Sequence, residues 1–204
     1  MKLIWNGHAC FTIATAQGTA VLDPYEDNYV PGLAPLKLTA DKVLCSHGHR
    51  DHGAVDVVAL TGNEPSFAVE TISTFHDPEQ GALRGPNTIH IISAEGLRVA
   101  HMGDLGCELT QEQIDKLQGL DAVIIPVGGF YTIDAAQAKA VTEQLKPRVI
   151  IPIHYRSETF GFPVLAEVGD FLSLCDNVVR YEGNTLELTA DTPAQTAVLT
   201  YCAG

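Results

Sequence analysis

Ser46-His47-Gly48-His49-Arg50-Asp51-His52-Gly53 sets three histidines and an aspartate within six residues. Neutral imidazole and ionised carboxylate are the donors of zinc sites, and of manganese or iron sites as the carboxylate share rises. A short histidine-rich tract after a strand is therefore an arrangement for holding metal. His47 and His49 are two apart on an extended segment, so their rings point to the same side. Asp51 and His52 must turn in the loop that follows.

Other residues of the same chemistry lie further along. His76 stands in a polar loop beside Asp77. Gly103-Asp104 closes the second strand of an apparent hairpin, Thr88–Ser93 and Leu97–Met102, turned at Ala94-Glu95-Gly96. His154 ends the apolar run Val149-Ile150-Ile151-Pro152-Ile153. His90 and His101 compete with His76 for the place of a third histidine. His90 lies inside an alternating strand, where a structural role is expected. His101 is three residues before Asp104, so strand alternation turns it away from that carboxylate. Ligands favour loops, which points to His76.

These residues resemble, in type and order, the metallo-β-lactamase superfamily. They are His47-x-His49-x-Asp51-His52, His76, Gly103-Asp104 and Pro152-Ile153-His154-Tyr155. Gly7-His8-Ala9-Cys10-Phe11 and Leu22-Asp23-Pro24-Tyr25 add to the likeness, which runs from residue 1 to about residue 155. Within the superfamily the chain is similar to small metal-dependent hydrolases near the L-ascorbate-6-phosphate lactonase branch.

The resemblance implies an α/β (α+β) fold, a four-layer αβ/βα sandwich. It implies two divalent metal ions, Zn2+ first, with Mn2+ or Fe2+ as alternatives. His47, His49 and His76 would bind one ion. Asp51, His52 and His154 would bind the other, Asp104 would bridge them, and Asp51 and His154 would also count as catalytic. Two ions sharing a carboxylate bring a bridging water's pKa toward neutrality, so it can attack an ester, lactone, amide or phosphodiester. No serine or cysteine nucleophile is needed. A small-molecule ester or lactone hydrolase is the leading expectation, with a phosphodiesterase or a non-catalytic metal-binding protein as alternatives. The diiron flavoprotein pattern has a glutamate where this chain has His49, and 204 residues leave no room for a flavodoxin-like domain.

Roles around this set stay open. Asp23 is either a turn residue or an orienting partner for a ligand histidine. His8 is a candidate substrate contact. Tyr131 and Tyr155 lie beside site loops. Arg84 or Arg156 is either a bidentate clamp for an anionic group or a surface arginine.

The bulk composition narrows the class. The net charge of −13 disfavours nucleic acid, whose binders cluster lysine and arginine. Hydrophobic residues at 46% and charged residues at 18% are enough for one core, so residues 1–204 read as a single domain. Five scattered cysteines without a CxxC suit a reducing compartment. No apolar run approaches a membrane span, and no signal segment is visible. A soluble, cytoplasmic protein with no membrane partner is expected, and the resemblance suggests homo-oligomers.

The elements that must position these residues are mostly short strands. Leu3–Trp5, Phe11–Ala14 and Thr19–Leu22 open the chain, and residues 26–40 read as a long loop. Asp41–Cys45 feeds the histidine motif, and a helix is expected from about residue 53. Phe67–Thr71 alternates as a strand. Thr110-x-x-Gln113 is a capping-box start for a helix to about Gln118. Asp121–Val127 and Arg148–Ile153 are buried strands flanking a helix over Ile133–Lys146. A last helix is expected over Pro163–Cys175, then three strands at a sheet edge.

Overall fold

A computed structural model describes residues 1–203. In chain order the first strands are β1 (Lys2–Gly7), β2 (Cys10–Thr15), β3 (Gly18–Leu22), β4 (Leu38–Ala40), β5 (Lys42–Leu44) and β6 (Val58–Leu60). Then come β7 (Ala68–Phe75), β8 (Pro86–Ala94), β9 (Leu97–His101), α1 (Gln111–Lys116), β10 (Ala122–Pro126), α2 (Ala135–Leu145) and β11 (Val149–Ile153). The last are α3 (Val168–Leu172), β12 (Val178–Arg180), β13 (Thr185–Glu187) and β14 (Gln195–Val198).

Two sheets share one core. A five-stranded sheet runs β13-β1-β2-β3-β5, and a seven-stranded sheet runs β12-β14-β11-β10-β9-β8-β7. Strand alternation decides what each face meets. Phe11, Ile13, Ala20 and Leu22 point inward and pack with Ile89, Ile91, Val99 and Ile124 of the larger sheet. Cys10 and Val21 point the other way, into a second apolar cluster with Tyr25, Val30, Leu33, Ala40 and Val58. The layer on that outer side is therefore the 24–40 segment and the two-stranded sheet β4-β6.

The larger sheet is parallel through β9, β10, β11, β14 and β12, with β8 antiparallel to both β7 and β9. β7 thus runs the same way as β9, β10 and β11, and all four end at one edge. β10 is buried at all five residues, as a continuous apolar run in a parallel sheet should be. Both interior helices start at full capping boxes, Thr110 with Gln113 and Asp134 with Gln137. α2 stops where Lys146 turns left-handed ahead of Pro147. No helix among the described residues is long and apolar enough to cross a membrane.

Three local expectations fail. The helix after Gly53 is one 3-10 turn, Val55–Val57, followed by β6. Its β-branched valines favour extended backbone, and β4 supplies a parallel partner. The last helix shrinks to Val168–Leu172. Its expected first turns are an isolated turn instead, closed by Leu165 N–H donating to Phe162 O (3.0 Å), and Ala166 is tied on both sides: Arg156 N–H donates to Ala166 O (3.0 Å) and Ala166 N–H to Gly128 O (2.8 Å). The late strands divide: β12 and β13 are sheet edges, but β14 lies between β12 and β11.

Candidate metal centre

The ends of β3, β5, β7, β9, β10 and β11 deliver Asp23, the His47–His52 loop, His76, Asp104, the Gly128–Tyr131 loop and His154 to one rim. The β1–β2 turn adds His8. Asp104 Oδ2 is the focus. It lies 3.1 Å from His52 Nε2, 3.1 Å from His76 Nε2, 3.2 Å from His154 Nε2 and 4.0 Å from His47 Nε2. His52, His76, His154 and Asp104 are all buried.

The side chains gather into two sets joined by Asp104. The donor atoms of His47, His49 and His76 lie within 4.8 Å of one another, as do those of His8, Asp51, His52 and His154. His47, His52 and Asp104 form a third such group that links them. His49 is solvent-exposed, whereas the His8, His52 and His154 rings are inaccessible. All seven residues named as ligands from the sequence thus reach this rim.

Hydrogen bonds to the far side of each ring select the tautomer. His52 Nδ1 donates to Asp23 Oδ2 at 2.8 Å. His76 Nδ1 donates to Tyr131 O at 3.1 Å. Ser46 Oγ donates to Asp23 Oδ2 (2.6 Å), so at 2.9 Å from His47 Nδ1 it accepts from that ring. Each of the three rings is left with a bare Nε2 lone pair facing the cluster. Nε2 of His47, His52 and His154 and Oδ1 of Asp104 are buried without a hydrogen-bond partner among the described residues. Such orphaned acceptors are costly unless a cation satisfies them. The donor set fits divalent metal.

His101 fits none. Its Nε2 donates to Ala9 O (2.8 Å) and its Nδ1 accepts from Gly103 N–H (3.1 Å), so no lone pair remains. His90 points to Cys45 O at 3.0 Å. Asp23 is both of its alternatives. It sits at the turn with φ of 46°, and its carboxylate holds His52, Ser46 Oγ and Ser46 N–H. His8 and His154 also have left-handed backbones, with φ of 50° and 54°. Three non-glycine residues in that region at one rim mark strain held by their surroundings.

Sequence reasoning missed three supports. Asn87 Oδ1 accepts from Asp104 N–H (2.9 Å) while its amide binds Thr74 Oγ1 and Met102 O. His8 is buried, with Nε2 3.3 Å from Asp51 Oδ2 and its ring 4.2 Å from that of His154. Asp77 accepts backbone N–H bonds from Glu79, Gly81, Leu83 and Arg84, which folds the loop after His76. Tyr155 packs on Trp5 and Phe160.

Electrostatics follow the burial. Burial pushes the Asp104 carboxyl up, but His154 and His52 outweigh it and hold it well below the usual range. Burial likewise opposes ionisation of Asp23, and His52 overrides it, to a pKa of about 2. His47 falls to about 3 by burial and by the neighbouring His52. His8 falls to about 4 by burial and by His154. His52 moves the other way and is raised, because Asp104 and Asp23 together overcome burial. The ionised carboxylates and the neutral His8 and His47 rings suit a bound cation, and His52 would release its proton as a metal binds.

A sequence model described as the Beta-lactamase superfamily domain matches residues 2–154. The chain belongs to this superfamily. A crystal structure from Thermotoga maritima, assigned as a Zn-dependent hydrolase of the metallo-β-lactamase superfamily, superposes at a TM-score of 0.77 with 34% identity over 97% of each chain. A UPF0173 metal-dependent hydrolase of Thermoplasma acidophilum is 28% identical, over 89% of this chain and 93% of its own. A metallo hydrolase of Ignicoccus hospitalis shares the fold at a TM-score of 0.64 and 22% identity, over 92% of this chain and 99% of that one. The α/β metallo-β-lactamase fold is established by these matches.

Proposed function

We propose that this protein is a metal-dependent hydrolase of a small-molecule ester or lactone, using two divalent ions, Zn2+ first. The observation that carries the reading is Asp104 Oδ2, with three imidazole Nε2 atoms within 3.2 Å and each of the two ligand sets represented among them. His47, His49 and His76 would hold one ion, Asp51, His52 and His154 the other, and Asp104 lies between the two sets. Two cations bound there lower the pKa of a water and polarise the substrate's carbonyl or phosphoryl oxygen.

The chain's own residues supply the rest. Asp23 and Ser46 fix the His52 and His47 rings. Asn87 fixes the Asp104 backbone. Asp51, its carboxylate held 3.3 Å from His8 Nε2, would take the proton of the attacking water and return it to the leaving oxygen. The hydrolase names of the Thermotoga and Thermoplasma relatives support the same reaction class. The net charge of −13 supports a small molecule over a nucleic acid.

Metal analysis of protein purified without added metal, beside an Asp104→Ala variant, tests the reading. About two ions per chain, falling in the variant, is the expected result. Turnover on a panel of aryl esters, lactones and phosphodiesters, abolished by chelator and restored by zinc, completes it. One ion or fewer, unchanged in the variant, defeats the binuclear assignment. Full metal loading without turnover on any class leaves a metal-binding role instead.

A further inference from the structure

The geometry points to Arg84, with a row of aromatic rings, as the selector for substrates that carry an anionic group on an apolar, planar body. The inference rests on the proposed hydrolase site only for where the reacting bond lies; the binding it calls for stands apart from turnover.

A cavity of about 290 Å3 opens over the cluster, with Asp51, His76 and Asp104 in its floor. Its wall is Tyr29, Phe162 and Tyr131. Their rings follow edge-to-face: Tyr29 to Phe162 at 5.8 Å and 74°, Phe162 to Tyr131 at 6.2 Å and 78°. Such a row offers an apolar slot to a flat ligand. The row is braced from behind. The Arg50 guanidinium lies 4.5 Å from the Tyr29 ring centroid and is neutralised by Glu26 at 2.6 Å.

Arg84 is the one arginine or lysine lining this cavity. Its backbone is tied by the 2.7 Å bond from its N–H to Asp77 Oδ2. Its guanidinium lies 5.7 Å from the Tyr131 ring and makes a single hydrogen bond, to Phe130 O at 3.2 Å. No carboxylate lies within 4.0 Å of it among the described residues, whereas Arg50, Arg98, Arg148 and Arg156 are all ion-paired. Arg156, the alternative clamp, is committed to Glu167 at 2.8 Å. A fixed arginine with spare donors, at the mouth of a metal site in a chain of charge −13, recognises a carboxylate, phosphate or sulfonate.

The test is equilibrium binding of naphthalene-1-sulfonate to the zinc-loaded protein, followed by its own fluorescence. A sulfonate is a weak zinc ligand, so affinity reports Arg84 and the rings. The uncharged comparison is methyl 1-naphthyl sulfone. Saturable binding is expected, weakened roughly tenfold or more in Arg84→Gln and less in Arg84→Lys, since one charge-assisted hydrogen bond is removed. The sulfone should bind wild type and Arg84→Gln alike, and Phe162→Ala should weaken both ligands. Arg180→Gln, on edge strand β12, should change nothing. No saturable binding, equal sulfonate affinity in Arg84→Gln, or equal weakening by Arg180→Gln overturns the inference. Unchanged sulfonate affinity in an Arg84→Gln protein that still turns over neutral esters would overturn it and leave the hydrolase reading standing. The predicted binding without turnover would sink the hydrolase reading alone.

Discussion

Asp23 Oδ2 lies 2.8 Å from His52 Nδ1, and the opposite nitrogen of the same ring lies 3.1 Å from Asp104 Oδ2. One carboxylate at the end of β3 thus aims a ring from the loop after β5 at a carboxylate after β9. Asp23→Asn keeps the shape and removes the charge, so metal affinity should fall by about 10- to 100-fold with the fold retained. Asp23→Ala also strands the buried Ser46 N–H, adding roughly 1–3 kcal/mol of destabilisation. Competition against a chelator and urea unfolding measure the two effects. Wild-type metal affinity in both variants would remove Asp23 from the site.

Metal removal should destabilise the folded chain. The buried atoms facing the cluster, Nε2 of His47, His52 and His154 and Oδ1 of Asp104, have no hydrogen-bond partner among the described residues. A cation bound to the native state alone adds stability that grows with its concentration, about 2.7 kcal/mol at one hundred times Kd. The melting temperature should therefore drop on chelation by several degrees, and Asp104→Ala should melt at one temperature with or without chelator. A chelator shift of equal size in the variant would place the stabilising ion elsewhere.

The metal-free protein should lose stability as pH falls from about 6.5 toward 4. His8 and His47 have folded pKa values near 4 and 3, below the ordinary histidine value of 6.5. In that window the unfolded chain takes up protons that the folded chain refuses, so acid favours unfolding. For fully buried His8 the effect reaches about 3 kcal/mol. His52 has a raised pKa, so its contribution is fully present below 6.5 and does not offset the loss. Asp23, Asp51 and Asp104 have depressed values, and their loss begins only below about 4. Calorimetry with chelator across this range checks the slope, and a flat profile would contradict buried neutral rings at His8 and His47.

The histidine and aspartate rim was legible because its residue types are explicit and stand where apolar runs end. The His47–His52 motif pointed to metal by itself, whereas Asp104 and His154 gained their place only beside that motif and the superfamily resemblance. His101 was turned away correctly, because strand alternation is local. What was illegible depends on partners distant in the chain. Val55, Val57 and Val58 extend no further than one 3-10 turn because β4, some twenty residues earlier, pairs with β6. Residues 163–167 stay out of the helix because Leu165 closes a turn on Phe162 and Gly128 and Arg156 hold Ala166. Asn87 reads as an ordinary polar residue at a strand start, and only the fold brings it to Asp104 N–H. His8 stayed an open candidate from the sequence, and only the fold shows its ring buried against Asp51 and His154.

Gly128 should be irreplaceable for a reason that is steric and specific to His154. β10 and β11 are parallel neighbours, and their ends are pinned together by Val127 N–H donating to Ile153 O at 3.1 Å. One residue on, a side-chain carbon at Gly128 would collide with the His154 carbonyl oxygen. His154 already has a left-handed φ of 54°, so its backbone has little room to yield. Gly128→Ala should therefore move His154, cost roughly 1–3 kcal/mol by overpacking, and lower binding of the ion proposed at Asp51, His52 and His154. Gly129→Ala is the comparison. Its added carbon meets only Asp134 at 3.4 Å, and its φ of 62° costs backbone strain without touching His154. Both variants should unfold earlier in urea, and only Gly128→Ala should lose metal. Equal metal content in the two would separate the Gly128 contact from the site and leave it a packing constraint.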